Sequence, residues 1–413
     1  MKKIYLMFLT PLFLYSQNLE ELVNLSINNK IVSSSKQSLE SIKDEYESVK
    51  SGYLPSLDIG ATHAITDEET TSVAKNSSKA YGSISYELYD GGKKSDTYDS
   101  YESTIKSNQE SLEALKNEIS LDVITKYYNY LSYISQKEAK LKEIEQLGSQ
   151  LTRLSRFLDA GTTTEDEVQK IISRLENSKV TLQEIELEMI TITHNLEYIT
   201  GQSVSIDAGS NVKELENNVQ TDLRFDLKST EFNLESKLAS ARSVKSANLP
   251  IITLDNTYTY YDPNYDNKSY SYPFDSQNVV SANLTWNIFS FGETKYKYES
   301  KYKDYLSLKS QLEYEKNKAN VDLQLALKAY DISKAKIKSS EANLKAATTA
   351  YDVIKSKYES GLIDNVSFLT SLSEKYTALS QLKTSQNDLE IKKAKIIYYS
   401  GKKLEEYIKW RNQ

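Results

Sequence analysis

No cysteine occurs among the 413 residues, and histidine occurs only twice, as His63 and His194. Without cysteine there is no disulfide framework, no thiolate zinc site, no Fe–S cluster and no lipidated N-terminal cysteine. The two histidines lie far apart in sequence with no ligand partners beside them, so neither a metal site nor a cofactor is expected. Glycine (12) and proline (5) are scarce as well, which argues against phosphate-cradling loops and a doubly wound nucleotide fold. The run Gly91-Gly92-Lys93-Lys94-Ser95 looks superficially like a phosphate loop but lacks the upstream glycine at the required spacing. It reads instead as a strand-to-helix turn. Carboxylates abound, yet no pair stands isolated in an apolar, glycine-rich setting, so no catalytic residue is assigned and no enzyme is expected. A basic block is also missing and the formal charge is −7, so nucleic acid is not an expected partner.

Long apolar runs are missing too, with one exception at the start. Met1-Lys2-Lys3 precedes Ile4 to Tyr15, a short apolar stretch closed by Ser16-Gln17. This pattern predicts a secretory signal peptide over residues 1–16. The run is too short to span a bilayer, which needs roughly 20 residues. Any membrane insertion of the exported chain must therefore be by strands.

What the chain does contain is a repeat. Gly92 and Gly292, Gly161 and Gly361, and Gly201 and Gly401 are each 200 residues apart. Upstream, Lys50-Ser51-Gly52-Tyr53-Leu54-Pro55 matches Lys245-Ser246-Ala247-Asn248-Leu249-Pro250 at an offset of 195. Four landmarks in one order indicate a duplication. The first repeat is expected over 17–201, with strands at about 56–66 and 80–90, a long helix at about 93–160 and a return helix at about 164–199. A linker over 202–223 leads to the second repeat, 224–413. There the strands are expected at about 251–261 and 278–290, and the helices at about 293–360 and 365–400, followed by a short C-terminal segment.

The strand segments alternate with period two. Thr253, Asp255 and Thr257 oppose Ile252, Leu254 and Tyr258, and Ser281, Asn283, Thr285 and Asn287 oppose Val280, Ala282, Leu284, Trp286 and Ile288. Leu57, Ile59 and Ala61, and Ile84, Tyr86 and Leu88, repeat the pattern in the first half. Such runs fit barrel strands with lipid outside and water inside, and the 32 tyrosines suit interfacial belts. Period two alone is equally compatible with a soluble hairpin domain; the export signal favours the membrane. Four strands cannot close a barrel, which needs about eight, so membrane strands would require an oligomer. The helical segments carry apolar residues at spacings of three and four, among them Leu112, Val123, Tyr127 and Leu147 in the first half and Leu312, Val321, Leu325 and Ile337 in the second. That is a coiled-coil-like seam in helices of roughly 100 Å at 1.5 Å per residue.

Export signal, paired Leu-Pro and strand pairs, glycine turns, long helices and the segment Arg224-Phe225-Asp226-Leu227 together resemble the TolC-type outer-membrane efflux protein family, over about Leu19 to Trp410. The resemblance implies an α+β membrane protein built as a tandem structural repeat. Four β-strands per chain would contribute to a trimeric 12-stranded β-barrel, and coiled-coil-like helical hairpins would form a periplasmic tunnel. It implies the outer membrane of a Gram-negative bacterium as location. Its implied partners are two further copies (a homotrimer), outer-membrane lipid, a periplasmic adaptor protein and an inner-membrane pump or ABC exporter. By the same resemblance Leu158, Gly161, Thr162, Tyr358, Gly361 and Leu362 form the periplasmic tip where adaptors dock. The aspartates that narrow the tunnel in many members are replaced by Ser367 and Thr370, leaving Glu165, Asp166, Glu167 and Asp364 as acidic candidates for a constriction that favours cations. Thr253, Asp255, Thr257, Ser281, Asn283, Thr285 and Asn287 would face the lumen. The competing reading is an exported coiled-coil adhesin or envelope spacer without a channel.

Overall fold

The computed structural model describes residues 16–214 and 222–410; the expected signal peptide lies outside the described residues except for Ser16. The chain order is α1 (Leu19–Ser26), α2 (Lys30–Gly52), β1 (Ser56–Ile65), β2 (Asn76–Tyr89), α3 (Lys93–Asp159), α4 (Glu165–Thr200), β3 (Ser210–Val212) and α5 (Phe225–Val244). A short 3-10 turn leads on to β4 (Ile251–Asn264), β5 (Ser276–Thr285), α6 (Glu293–Glu359) and α7 (Asn365–Tyr399), and the small strand β6 (Ile408–Trp410) closes the order. Both long helices, α3 and α6, run 67 residues. Among the described residues no helix is long and apolar enough to cross a membrane.

Two compact units form, each from segments of both halves. The first combines residues 16–34, 112–214, 222–225 and 317–410. Its core gathers Leu19, Leu22 and Val23 of α1, Val123, Ile124, Tyr127 and Tyr128 of α3, Leu196 of α4, Ile397 of α7, and Leu404. Burying such side chains contributes about 1.5–3 kcal/mol each. Two buried tyrosines in an apolar core must satisfy their hydroxyls: Tyr127 donates to the Asp207 carbonyl at 2.7 Å and Tyr128 to that of Ser210 at 3.0 Å. These bonds hold the β3 corner, which pairs antiparallel with β6. Burial, helped by the charge of Glu390, pushes the Tyr128 hydroxyl far above the usual tyrosine range.

Helix contact in this unit relies on small residues. The buried positions Ala319, Ala326, Ser333 and Ser340 of α6 recur every seven residues, a strict heptad. Ser340 and Ser385 of α7 meet at 3.3 Å, and Ser333 donates to Asp388. Val321 and Leu325, expected in the seam, are instead exposed.

The second unit, residues 35–111 and 226–316, holds a four-stranded antiparallel sheet in the order β1-β2-β4-β5. Thus β2 of the first half pairs with β4 of the second, with Ser83 opposite Thr257 and Ile84 opposite Asn256. Small polar residues again serve the helices here: Ser100 bonds Ser236 and Ser240 at 2.9 Å, and Ser107 bonds Ser229 at 3.1 Å. Strand β2 begins at Asn76, ahead of the expected 80, and β5 ends at Thr285, short of the expected 290. The outer edges of β1 and β5 have no strand partner among the described residues; pairing on β5 ends at Thr285, opposite Ile251, the first residue of β4.

Replacing Tyr128 by Phe strands the Ser210 carbonyl in a buried setting, at a cost of about 1–3 kcal/mol. The expected outcome is a lower unfolding midpoint and faster proteolysis around residues 204–214, both measurable by limited digestion across a temperature ramp.

Candidate functional site

The sheet offers two chemically distinct faces. Register places Ser83, Ser85, Thr253, Asp255, Thr257, Ser281 and Asn283 on one side, with Thr285 following in the same alternation. Leu57, Ile59, Ile84, Leu254, Tyr258, Val280 and Leu284 share the other. The polar residues are joined across three strands. Ser85 Oγ donates to Asp255 Oδ1 at 2.6 Å, Asn283 Nδ2 donates to Asp255 Oδ2 at 2.7 Å, and Thr253 Oγ1 donates to Asp255 Oδ2 at 3.4 Å. The apolar face is the more exposed one: Tyr258 is 54% accessible, against 9% for Thr259 on the polar side. Outward apolar and inward polar residues invert the arrangement of a soluble half-buried sheet. Asn287, expected on the polar face, falls beyond the end of β5, because β4, the strand that β5 pairs with, begins at Ile251 opposite Thr285.

A tight backbone crossing shapes this face. Tyr81 lies over Gly60 on the neighbouring strand, where an added Cβ would sit 2.5 Å from the ring. The ring covers the bare backbone, a known device for glycine in sheets.

The two helix turns are near copies. Thr162 N–H donates to Phe157 O at 2.8 Å and Gly161 N–H to Leu158 O at 2.9 Å; Leu362 and Gly361 make the same bonds to Lys357 and Tyr358. This is the Schellman arrangement, which needs a left-handed residue after the helix, and Gly161 and Gly361 stand at φ +68° and +71°. Leu362, Gly161, Thr162 and Gly361 are exposed, Leu158 is half-buried, and Tyr358 stacks on Phe368 at 4.8 Å.

The acidic candidates divide. Asp364 caps α7, accepting from Ser367 N at 2.8 Å, and its other oxygen is held by Arg153 of α3. The Ser367 amide and then the Arg153 charge hold its carboxyl below the usual aspartate range. Glu165, Asp166 and Glu167 are exposed in the first turn of α4, where the helix dipole favours them. Lys170 donates to Asp166 at 3.1 Å and to Glu167 at 2.8 Å. The Thr164 hydroxyl and then Lys170 draw Asp166 below its usual range. Thr370 is occupied by Gln146, at 3.1 Å, while Ser367 is exposed. Sequence reasoning missed Arg153 because its partner lies 211 residues away. Among the described residues no group of three or more His, Asp or Glu is placed to hold a metal.

A sequence profile described as "Outer membrane efflux protein" matches residues 22–202 and again residues 220–402. The chain belongs to the outer membrane efflux protein family. The double match coincides with the two halves read from the glycine spacing. A search among curated proteins finds no sequence match. Solved structures share the fold of this efflux-family chain. A membrane protein from Pseudomonas aeruginosa superposes with a TM-score of 0.78 at 16% identity, covering 93% of each chain. The CmeC outer membrane channel of Campylobacter jejuni gives 0.78 at 17%, covering 96% of this chain and 87% of that one. The outer membrane protein VceC of Vibrio cholerae gives 0.76 at 13%, covering 94% and 96%.

Asp364→Ala removes the cap and frees Arg153. Loss of such a cap costs about 0.5–2 kcal/mol, so amides of residues 365–368 should exchange faster with deuterium in the variant. Because the carboxyl's pKa is depressed on folding, its stabilisation is complete above the usual aspartate range. Protection in the unmodified protein should therefore be lost as pH falls through the depressed value. Equal exchange in both proteins at neutral pH would remove the cap's role.

Proposed function

We propose that the chain is the outer-membrane exit duct of a tripartite efflux pump or type I secretion system, working as a passive conduit. The observation that carries this reading is the sheet with an exposed apolar face, a cross-linked polar face and two open edges. Three copies pairing edge to edge close twelve strands, enough to enclose a water-filled lumen. Lipid then meets Leu57, Ile59, Leu254 and Leu284, and solute passes along Thr253, Asp255, Thr257, Ser281, Asn283 and Thr285. Family membership and the shared fold support this placement.

In this reading the helices continue the path through the periplasm, and the turns at Gly161 and Gly361 are the tip that docks an adaptor. The signal peptide delivers the chain across the inner membrane. Energy is supplied by the inner-membrane pump, and opening is a movement of the tip helices biased by adaptor contacts. Arg153, Arg156 and Lys170 offset Asp159, Glu165, Asp166, Glu167 and Asp364 locally. Three cations against five carboxylates leave the tip acidic, so it still favours cations, with part of the charge offset locally.

The deciding experiment is the mass of the detergent-solubilised protein from outer membranes, followed by conductance in planar bilayers. A heat-sensitive trimer that conducts is expected; a water-soluble monomer absent from the membrane fraction overturns the channel. Gly161→Val and Gly361→Val each force a β-branched residue into the left-handed region, at about 1–2 kcal/mol. No neighbouring atom lies within 4 Å of an added Cβ at either position, so the penalty falls on the turn alone. Export in cells should drop while trimers still assemble, and unchanged export in both variants would remove the docking assignment.

A further inference from the structure

Within the second unit, the two loops of the sheet enclose a cavity. Residues 66–75 join β1 to β2, and residues 265–275 join β4 to β5. Both loops fold back over the polar face, as the register shows. Thr62 lies opposite Lys79 and Lys79 opposite Tyr261, while Ala64 and Pro263 each lie opposite Ser77. All of these stand at two-residue steps along the strands from Ser85 and Asp255, so they share the polar side. Val73 and Ala74 of the first loop, with Tyr265 and Tyr272 of the second, close over them and leave a space of about 220 Å³.

The two loops are fastened to each other. Glu69 accepts from the backbone amides of Asp266 at 2.6 Å and Asn267 at 2.8 Å, and Lys75 pairs with Asp266 at 2.8 Å. The base of each loop is closed by a backbone bond, Thr66 N–H to Lys75 O at 2.9 Å and Tyr261 N–H to Asp275 O at 2.8 Å. Glu69, Lys75 and Asp266 are thereby spent on holding the walls together.

Three properties of the lining select what can enter. The first is aromatic. The rings of Tyr261 and Tyr272 lie 4.9 Å apart, and Phe274 backs them at 6.2 Å and 5.2 Å, a stiff wall suited to a flat ring. The second is charge. Lys79 is the one charged side chain in the lining, and it has no ion-pair or hydrogen-bond partner among the described residues. The third is an orphaned donor, since the Tyr265 hydroxyl is buried without a partner. A native structure withdraws such a group from water only at a cost that something must offset. An anionic oxygen answers both Lys79 and Tyr265. The lining holds no carboxylate and no side-chain amide, so a cation finds no counter-charge and a sugar no paired acceptor and donor. The volume lies below the range of about 300–1,000 Å³ that houses drug-sized ligands, which limits the occupant to a single ring.

We propose that this cavity binds small aromatic acids. The ring of the ligand lies on Tyr261 and Tyr272, and its carboxylate meets the Lys79 ammonium and accepts the hydrogen bond that Tyr265 cannot make within the protein. In the channel reading the cavity stands on the solute path at the loop end of the barrel, so the acid is either a solute on its way out or a molecule arriving from outside. The position of the site rests on that reading; its chemistry does not.

The test uses the full-length protein in detergent with salicylate as the probe, and binding is followed by saturation-transfer NMR. Saturable binding is expected. Lys79→Met should weaken it about tenfold, the loss of one charge-assisted contact, and Lys79→Arg should restore it. Lys268→Met, which removes an exposed lysine outside the lining, should leave it unchanged. Tyr265→Phe should weaken salicylate binding yet slow proteolysis of the loops, because the orphaned hydroxyl is gone; a variant that merely unfolds the loops is digested faster. Benzylamine, a ring of opposite charge, and glucose should not displace salicylate. Displacement by either, or unchanged affinity in Lys79→Met, overturns the proposal. In planar bilayers, salicylate that lowers conductance only from the loop side supports a ligand from outside, and block from both sides supports a solute in transit. A conducting trimer that binds no salicylate overturns the site and leaves the channel standing. A protein that binds salicylate through Lys79 but conducts no ions overturns the channel reading and leaves the site standing.

Discussion

Backbone hydrogen bonding at the sheet edges constrains everything else in this protein. Every peptide group in a lipid environment must find a partner within protein, and β1 and β5 each present an edge with no strand partner among the described residues. Charge, proline or a covering helix would blunt such an edge in a soluble protein. Here Ile59, Ala61, Val280 and Leu284 stand beside the edges instead. In the proposed channel the sheet is an arc that other copies would continue, and its faces would follow from the same constraint. In that reading the apolar residues lie where lipid would be, and Asp255 with its hydroxyl and amide donors where water would be.

Duplication lets one solution be used twice. Beside its apolar core, the junction between halves includes small hydroxyl residues at close approach, as in the contacts of Ser100 with Ser236 and of Ser107 with Ser229. Small side chains allow helices to approach closely, and each hydroxyl finds an acceptor within the pair. The tyrosine-rich core around Tyr127 and Tyr128 serves a different end, fixing the β3–β6 corner through carbonyl groups that apolar side chains could not satisfy.

Much of this was legible in the sequence because it rests on periodicity and on glycine. The turns at Gly161 and Gly361 require positive φ, so their spacing alone located the helix ends, and period two in β4 and β5 predicted faces that the register bears out. The β3–β6 pair was not legible, since three residues cannot display a period. The α6 seam was misread because hydrophobic spacing selects Val321 and Leu325, whereas the buried stripe is made of Ala319, Ala326, Ser333 and Ser340. Low-contrast residues leave no hydropathy signal when they pack. At the turns, the acidic residues were visible but the long-range partner of Asp364 was not: nothing in the local sequence of Asp364 announces Arg153.

The Arg153–Asp364 pair has a wider consequence. Its counterparts 200 residues away are Val353 and Thr164, which carry no charge to exchange. In the proposed ring of three chains the tip would contain six repeat-related helix seams, three carrying this ion pair and three in which the equivalent positions carry no charge. Such a ring is threefold in its mechanics although nearly sixfold in its backbone. A pull applied evenly around the rim would open every second seam first, leaving each chain's own halves fastened as a single leaf of an iris.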